Sequence, residues 1–131
     1  MSAGKPTRFI MIGDLADGKA SQNVMAYQMS LQKPHYTVLL GDIIYPSGRL
    51  YHYMKYFWST YSNPTEPSEK NGAPMMASIP FYAVLGNHDA YVAKLNNYPD
   101  AYAAYYFFNA PQNGLAEGVW NTALPKSEAA T

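Results

Sequence analysis

The sequence contains no cysteine and has no excess of charge of either sign. Its 131 residues include nine Lys or Arg and nine Asp or Glu, which gives a formal net charge of zero at pH 7. The absence of cysteine excludes a disulfide scaffold, thiol catalysis and a cysteine-ligated zinc site. The balanced charge implies no basic face, so binding to nucleic acid or to a membrane surface has no electrostatic support.

Long hydrophobic runs are also lacking. Although 48% of the residues are hydrophobic, the apolar runs are too short for a membrane-spanning helix. No signal peptide is visible, because residues 1–8 are polar and a strand-like run begins at Phe9. A cytoplasmic location is therefore the default expectation, and the length suffices for one domain.

Three short apolar runs, each followed by glycine or aspartate, are typical of buried strands. They comprise residues 8–13, 36–40 and 79–85. Between the first two, residues 21–32 predict a helix, with Val24, Tyr27 and Leu31 at helical spacing. Between the last two, an apolar stripe predicts a second helix after Ser47, which is the candidate cap. The stripe consists of Leu50, Tyr53, Met54, Phe57 and Tyr61.

The alternation of strands and helices predicts an α/β fold with parallel strands and right-handed crossover helices. In such sheets, functional residues gather at the carboxyl ends of the strands. The predicted strand ends carry potential metal ligands, which are Asp14, Asp42, Asn87, His88 and Asp89. Neighbouring strands lie about 5 Å apart, so these residues are expected to converge. Carboxylates at such a short distance repel one another unless a cation lies between them. Oxygen ligands together with an imidazole suit Mg, Mn, Fe or Zn.

At these residues the sequence resembles the purple acid phosphatases, which belong to the calcineurin-like metallophosphoesterases. That family has ordered motifs, of which the first three are Asp-x-Gly, Gly-Asp-x-x-Tyr and Gly-Asn-His-Asp/Glu. Residues 13–16 (GDLA) are similar to the first, with Ala16 in the glycine place, and residues 41–45 (GDIIY) and 86–89 (GNHD) fit the other two. The resemblance implies the N-terminal half of an α/β/β/α sandwich.

The resemblance also implies a dinuclear centre of two divalent or trivalent ions, iron paired with Fe, Zn or Mn. By this likeness, Asp14 binds the first metal, Asp42 bridges both, and Tyr45 binds the first as a phenolate. Asn87 binds the second metal. Most other metallophosphoesterases have histidine where Ala16 stands here, so Tyr45 offers the anionic ligand in its place.

The resemblance implies a catalytic role for two further residues. His88 is expected near the substrate, where it stabilises the transferring phosphoryl group or protonates the leaving oxygen. Asp89 is expected to orient and charge His88. The implied activity is hydrolysis of small phosphate esters by a metal-dependent phosphomonoesterase.

Two further family motifs, Val-x-x-His and Gly-His-x-His, are absent, and no histidine follows His88. Residues 1–131 are therefore expected to be a partial domain that is incomplete for catalysis. Two alternatives stay open: an inactive module that binds phosphate or metal, and a half-domain that a partner chain completes. The resemblance implies that in complete domains a second sheet packs on the first. In residues 1–131 one apolar sheet face is therefore expected to be exposed and to favour self-association.

Overall fold

The protein is described by a computed structural model over residues 6–91, 95–98 and 100–108. In these ranges the strands are β1 (Phe9–Ile12), β2 (Tyr36–Leu40) and β3 (Phe81–Val84). Helix α1 (Ala20–Leu31) follows β1, and helix α2 (residues 50–61) follows β2. Two one-turn helices come after β3, α3 (Asn87–Ala90) and α4 (Ala104–Phe107), and 3-10 turns occur at Met75–Ala77 and Leu95–Asn97.

The three strands form one parallel sheet in the order β1-β2-β3. Ile10 of β1 lies opposite Thr37 of β2, which lies opposite Phe81 of β3. Parallel neighbours need a crossover connection, which α1 supplies for the first pair and α2 for the second. The predicted α/β arrangement of parallel strands with helical crossovers is confirmed, and it brings all three carboxyl ends to one edge.

Helix α1 forms where the sequence predicts it but turns a different face inward. Val24 and Leu31 are 38% and 52% exposed, whereas the buried residues are Gln22, Ala26 and Met29. A polar side chain can be buried when its hydrogen bonds are satisfied. Gln22 meets this condition, because it accepts from the amide of Gly18 and donates to a backbone carbonyl of helix α2.

Helix α2 is irregular, with a π-helical stretch, Tyr53–Trp58, between short α-helical ends. A π-helix bonds each N–H to the carbonyl five residues back, so its turn takes more residues than an α-turn. Residues four apart therefore share a side, and Tyr53, Phe57 and Tyr61 are all buried. Leu50 and Met54 of the predicted stripe are instead exposed.

The predicted cap of helix α2 is wrong, because no side chain caps its first turn and the N-cap residue is Arg49 rather than Ser47. The first amide, that of Leu50, donates to the carbonyl of Asp100 at 2.7 Å. Asp100 also accepts from Arg49 Nε at 3.0 Å. The start of the helix is thus stabilised by a distant segment rather than by local sequence.

The two faces of the sheet differ in exposure. The helices cover one face, where Thr37 and Leu39 are fully buried and Ile10, Phe81 and Ala83 pack against the core. The other face is apolar and uncharged and consists of Phe9, Met11, Tyr36, Val38, Leu40, Tyr82 and Val84. Most of these side chains are about half exposed; Met11, for example, is 55% exposed. Parallel strands usually have both faces covered, so this open face is unusual.

In the described ranges, no helix combines the length and the apolar character needed to cross a membrane.

We propose that the chain self-associates through the open sheet face. Burial of an apolar surface from water drives association, and a lysine placed in the interface would oppose it. We expect sedimentation velocity to show concentration-dependent association that Met11→Lys weakens.

The matched control is Met25→Lys, because Met25 is 50% exposed but lies on helix α1. A parent chain that is monomeric at every concentration, or equal effects of the two variants, would contradict the proposal.

Candidate metal centre

The loops after β1 and β2 run side by side beyond the strands. The three successive amides of residues 14–16 donate to the three successive carbonyls of residues 41–43, at 3.3, 3.1 and 3.0 Å. In return, the amide of Tyr45 donates to the carbonyl of Ala16 at 2.9 Å. This pairing places Asp14 and Asp42 at corresponding positions of neighbouring loops.

Both aspartates have left-handed backbone conformations. The φ angle is 54° at Asp14 and 49° at Asp42. Such values are uncommon outside glycine, although Asp tolerates them better than most residues do. Unfavourable backbone conformations persist only where the surrounding structure imposes them, and they cluster at functional sites. The paired loops supply that constraint here.

The hydroxyl of Tyr45 lies between the two carboxylates. It donates a hydrogen bond to Asp14 Oδ1 and also lies 3.1 Å from Asp42 Oδ2. The hydrogen bond to Asp14, partial burial and the contact with Asp42 all raise the pKa of Tyr45 well above its usual value. The structure thus brings three of the four predicted metal ligands together.

The turn after β3 approaches Asp42 from the other side. The amide of His88 donates to Asp42 Oδ1 at 2.9 Å. A Cβ atom on Gly86 would lie 2.2 Å from Asp42 Oδ1 and 2.3 Å from the Asp42 amide nitrogen. Only glycine allows this approach, which explains the glycine that precedes Asn87.

Asn87 and His88 begin helix α3 beside this cluster. Asn87 is exposed, and its side chain makes no hydrogen bond to any described residue. The His88 ring lies 4.3 Å from the Tyr45 ring between centroids, and His88 Nδ1 is 3.0 Å from the Pro46 carbonyl oxygen. A carbonyl oxygen only accepts, so this contact assigns the proton to Nδ1 and leaves Nε2 as the other polar atom of the ring.

The predicted pairing of Asp89 with His88 is wrong. Asp89 is 1% exposed, and its carboxylate accepts from the amides of Ile43, Ile44 and Gly86 and from the hydroxyl of Tyr53. Adjacent residues of a helix do not face each other, so Asp89 turns inward while His88 turns towards Tyr45. The catalytic role expected for Asp89 therefore has no geometric support.

Tyr53 and Gly48 are the contributors that sequence reasoning missed. The apolar stripe predicts Tyr53 only as a core residue of helix α2, and nothing in the sequence signals its bond to Asp89. Gly48 touches Asp89 through the backbone, since a Cβ there would lie 1.6 Å from the Asp89 carbonyl oxygen. Its signal is the glycine itself, a few residues after the Gly-Asp-x-x-Tyr pattern.

Asp17, the other carboxylate near Asp14 in sequence, is a turn residue. It forms an ion pair with Lys19 at 2.6 Å and accepts from the Lys19 amide at 3.0 Å. These contacts with Lys19, led by the side-chain hydrogen bond, lower the pKa of Asp17. Asp17 therefore pairs with Lys19 in its own turn.

The donor set consists of oxygen atoms, which are the ligands that hard cations prefer. In the described part of the chain, no three His, Cys, Asp or Glu side chains come together. The cluster is instead two carboxylates and a phenol, whose hydroxyl contacts both carboxylates. Oxygen donors of this kind suit Mg, Mn or Fe. For a second cation, the described residues offer only Asp42 and the side-chain amide of Asn87 among the predicted ligands.

Comparison with known proteins agrees with this chemistry. A family model described as calcineurin-like phosphoesterase matches residues 7–126, which is nearly the whole chain. The chain belongs to the calcineurin-like phosphoesterase family. Searches of curated proteins and of solved structures gave no match. The family-level activity of this calcineurin-like phosphoesterase is metal-dependent hydrolysis of phosphoesters, and its oxygen-rich strand ends are consistent with that activity.

We predict that Gly86→Ala disrupts the centre of this calcineurin-like phosphoesterase. The new Cβ would overlap Asp42, and overpacking of this kind typically costs about 1–3 kcal/mol of folding free energy. We expect a lower midpoint in denaturant unfolding and weaker Mn²⁺ binding by titration.

Gly13→Ala is the matched control, because Gly13 also precedes a predicted ligand but a Cβ there would meet its nearest atom at an ordinary 3.5 Å. Equal stability and metal affinity in the two variants would show that the Gly86 contact is unimportant.

Proposed function

We propose that this chain belongs to a phosphomonoesterase of the purple acid phosphatase type. Family membership supports metal-dependent phosphoester hydrolysis. The observation that favours the finer assignment is the Tyr45 hydroxyl, which contacts the carboxylates of both Asp14 and Asp42. Tyrosine at this position offers an anionic oxygen where Ala16 leaves the usual histidine missing.

The first metal would be held by Asp14, Asp42 and Tyr45, and the second by Asp42 and Asn87. We propose iron at the first position and Fe, Zn or Mn at the second. When bound, such a pair supplies an activated water and charge stabilisation for in-line attack on phosphorus. In the metal-free chain, Tyr45 partly offsets the repulsion between the carboxylates by hydrogen bonding to them.

His88 is the residue that this chain offers to the substrate. Its ring stands beside Tyr45, and the Pro46 carbonyl fixes its orientation through Nδ1. Nε2 is the remaining polar atom, and in the imidazolium form it can donate to a phosphate oxygen or protonate the leaving oxygen. A small phosphate monoester is the substrate class that suits such a site.

An inactive binding module, or a half-domain completed by a partner chain, is the second candidate. The ligand count favours it, because the described ranges offer a second metal only one shared carboxylate, Asp42, and one neutral side-chain amide, Asn87. No histidine after His88 is present to raise that count. A catalytic ion in fixed geometry usually has at least three protein ligands.

We predict that the chain becomes coloured when it is loaded with ferrous iron and then oxidised. A tyrosinate bound to ferric iron absorbs visible light by charge transfer, so Tyr45→Phe should abolish the band in the absorption spectrum. Tyr51→Phe is the control, because Tyr51 is 53% exposed on helix α2 and contacts neither carboxylate. A band that survives in Tyr45→Phe would remove Tyr45 from the metal site.

We predict that the 131-residue chain binds fewer than two ions tightly and turns over phosphate monoesters poorly. The reason is the missing second-metal ligands, without which a two-metal clamp does not form. The measurements are metal stoichiometry after loading with Fe, Zn or Mn and release of phosphate from a generic monoester. Two tight ions per chain, with turnover that Asn87→Ala abolishes, would show that the chain is a complete enzyme.

A further inference from the structure

The carboxylate of Asp89 joins three separate segments of the chain. Asp89 Oδ1 accepts from the Ile43 amide at 3.0 Å, the Ile44 amide at 3.2 Å and the Tyr53 hydroxyl at 2.9 Å. Asp89 Oδ2 accepts from the Gly86 amide at 2.8 Å. A carboxylate has about four lone-pair sites, so its capacity is nearly filled.

These donors surround the predicted metal ligands. Ile43 and Ile44 are the residues between Asp42 and Tyr45, and Gly86 directly precedes Asn87. The contacts to Asp89 therefore fix the loop that carries two ligands against the turn that carries a third. The bond from the His88 amide to Asp42 Oδ1 reinforces the same junction.

Tyr53 is the only side-chain donor to Asp89 in the described residues, and it comes from the core. It is fully buried, and its ring packs against Phe57 and Phe107 at centroid distances of 5.9 and 5.4 Å. Burial and the neighbouring Asp89 raise the pKa of Tyr53 far above its usual value, so the hydroxyl stays a donor. The π-helical stretch of helix α2 begins at this residue, and such irregularities occur frequently at functional sites.

We infer that Tyr53 is a positioning residue, which sets the spacing of Asp42, Tyr45 and Asn87 by holding the Asp89 carboxylate in place. Tyr53 itself touches none of these ligands among the described contacts. The inference rests on the proposed function only in so far as those residues bind metal. It assigns to a core residue of helix α2 an effect on the metal centre at the edge of the sheet.

The variant that isolates this bond is Tyr53→Phe, which removes the hydroxyl and keeps the ring. Tyr61→Phe is the matched control, because Tyr61 is 1% exposed on the same helix and its hydroxyl has no partner among the described residues. Groups that support metal ligands typically change metal affinity by about 10–100-fold when mutated, and a single lost bond belongs at the lower end. We therefore expect about tenfold weaker Mn²⁺ binding in Tyr53→Phe and unchanged binding in Tyr61→Phe.

Mn²⁺ binding is measured by titration with detection of the free ion by electron paramagnetic resonance. Amide hydrogen exchange in the metal-free chain is measured alongside it. Loss of the Tyr53 hydroxyl should accelerate exchange at Ile43 and Ile44 and leave the amides of helix α1 unchanged. The combination of a local exchange effect and a weakened affinity is the result that supports positioning.

Three outcomes would overturn the inference. They are unchanged exchange at Ile43 and Ile44, equal acceleration throughout helix α1, and faster loop exchange with unaltered Mn²⁺ affinity. A parent chain that binds no Mn²⁺ would instead contradict the proposed function. Amide exchange in Tyr53→Phe and in the parent chain would then decide the inference alone. Acceleration confined to the loop of Ile43 and Ile44 would support it, and any other pattern would refute it.

Discussion

A buried carboxylate without a cation beside it needs donors on its oxygens, and Asp89 has four in the described part of the chain. Hydrogen bonds to an ionised acceptor are roughly twice as strong as neutral ones. Three of the donors are amides from two loops that have no strand pairing with each other at these positions. The spacing of the edge that carries the predicted metal ligands therefore depends in large part on this side chain, which contacts none of those ligands through its own carboxylate.

The stability of the core and the geometry of the site are linked through helix α2. Its buried aromatic residues pack against the covered face of the sheet, and one of them, Tyr53, also contacts Asp89. The left-handed conformations of Asp14 and Asp42 cost free energy and are retained only because neighbouring segments impose them. The aromatic core contributes part of the free energy that keeps this unfavourable backbone in place.

Local chemistry explains what the sequence could predict. The strands, the crossovers and the convergence of Asp14 and Asp42 follow from apolar runs that end in Gly-Asp. The place of Tyr45 beside them is implied by the resemblance to the purple acid phosphatases. The inward face of helix α1 could not be predicted in this way. Gln22 is buried because its side chain donates to the carbonyl of Tyr56, 34 positions away. The periodicity of hydrophobic residues does not predict a hydrogen bond to so distant a partner.

The direction in which the Asp89 side chain points could not be predicted from the sequence either, although Asp89 belongs to a motif. A motif names neighbouring residues without giving their directions, and the family resemblance implied that Asp89 orients His88. Helix α3 separates them, because successive side chains of a helix point to different sides. His88 lies with the predicted metal ligands in an outward layer of residues that come from just beyond the strands. Asp89 joins an inward layer whose partners lie 36 to 46 positions away in sequence, except for Gly86. Sequence patterns identify the outward layer because its members follow strand ends directly. The inward layer is fixed by the packing of helix α2 and the β2 loop, and it is visible only once those segments are in place.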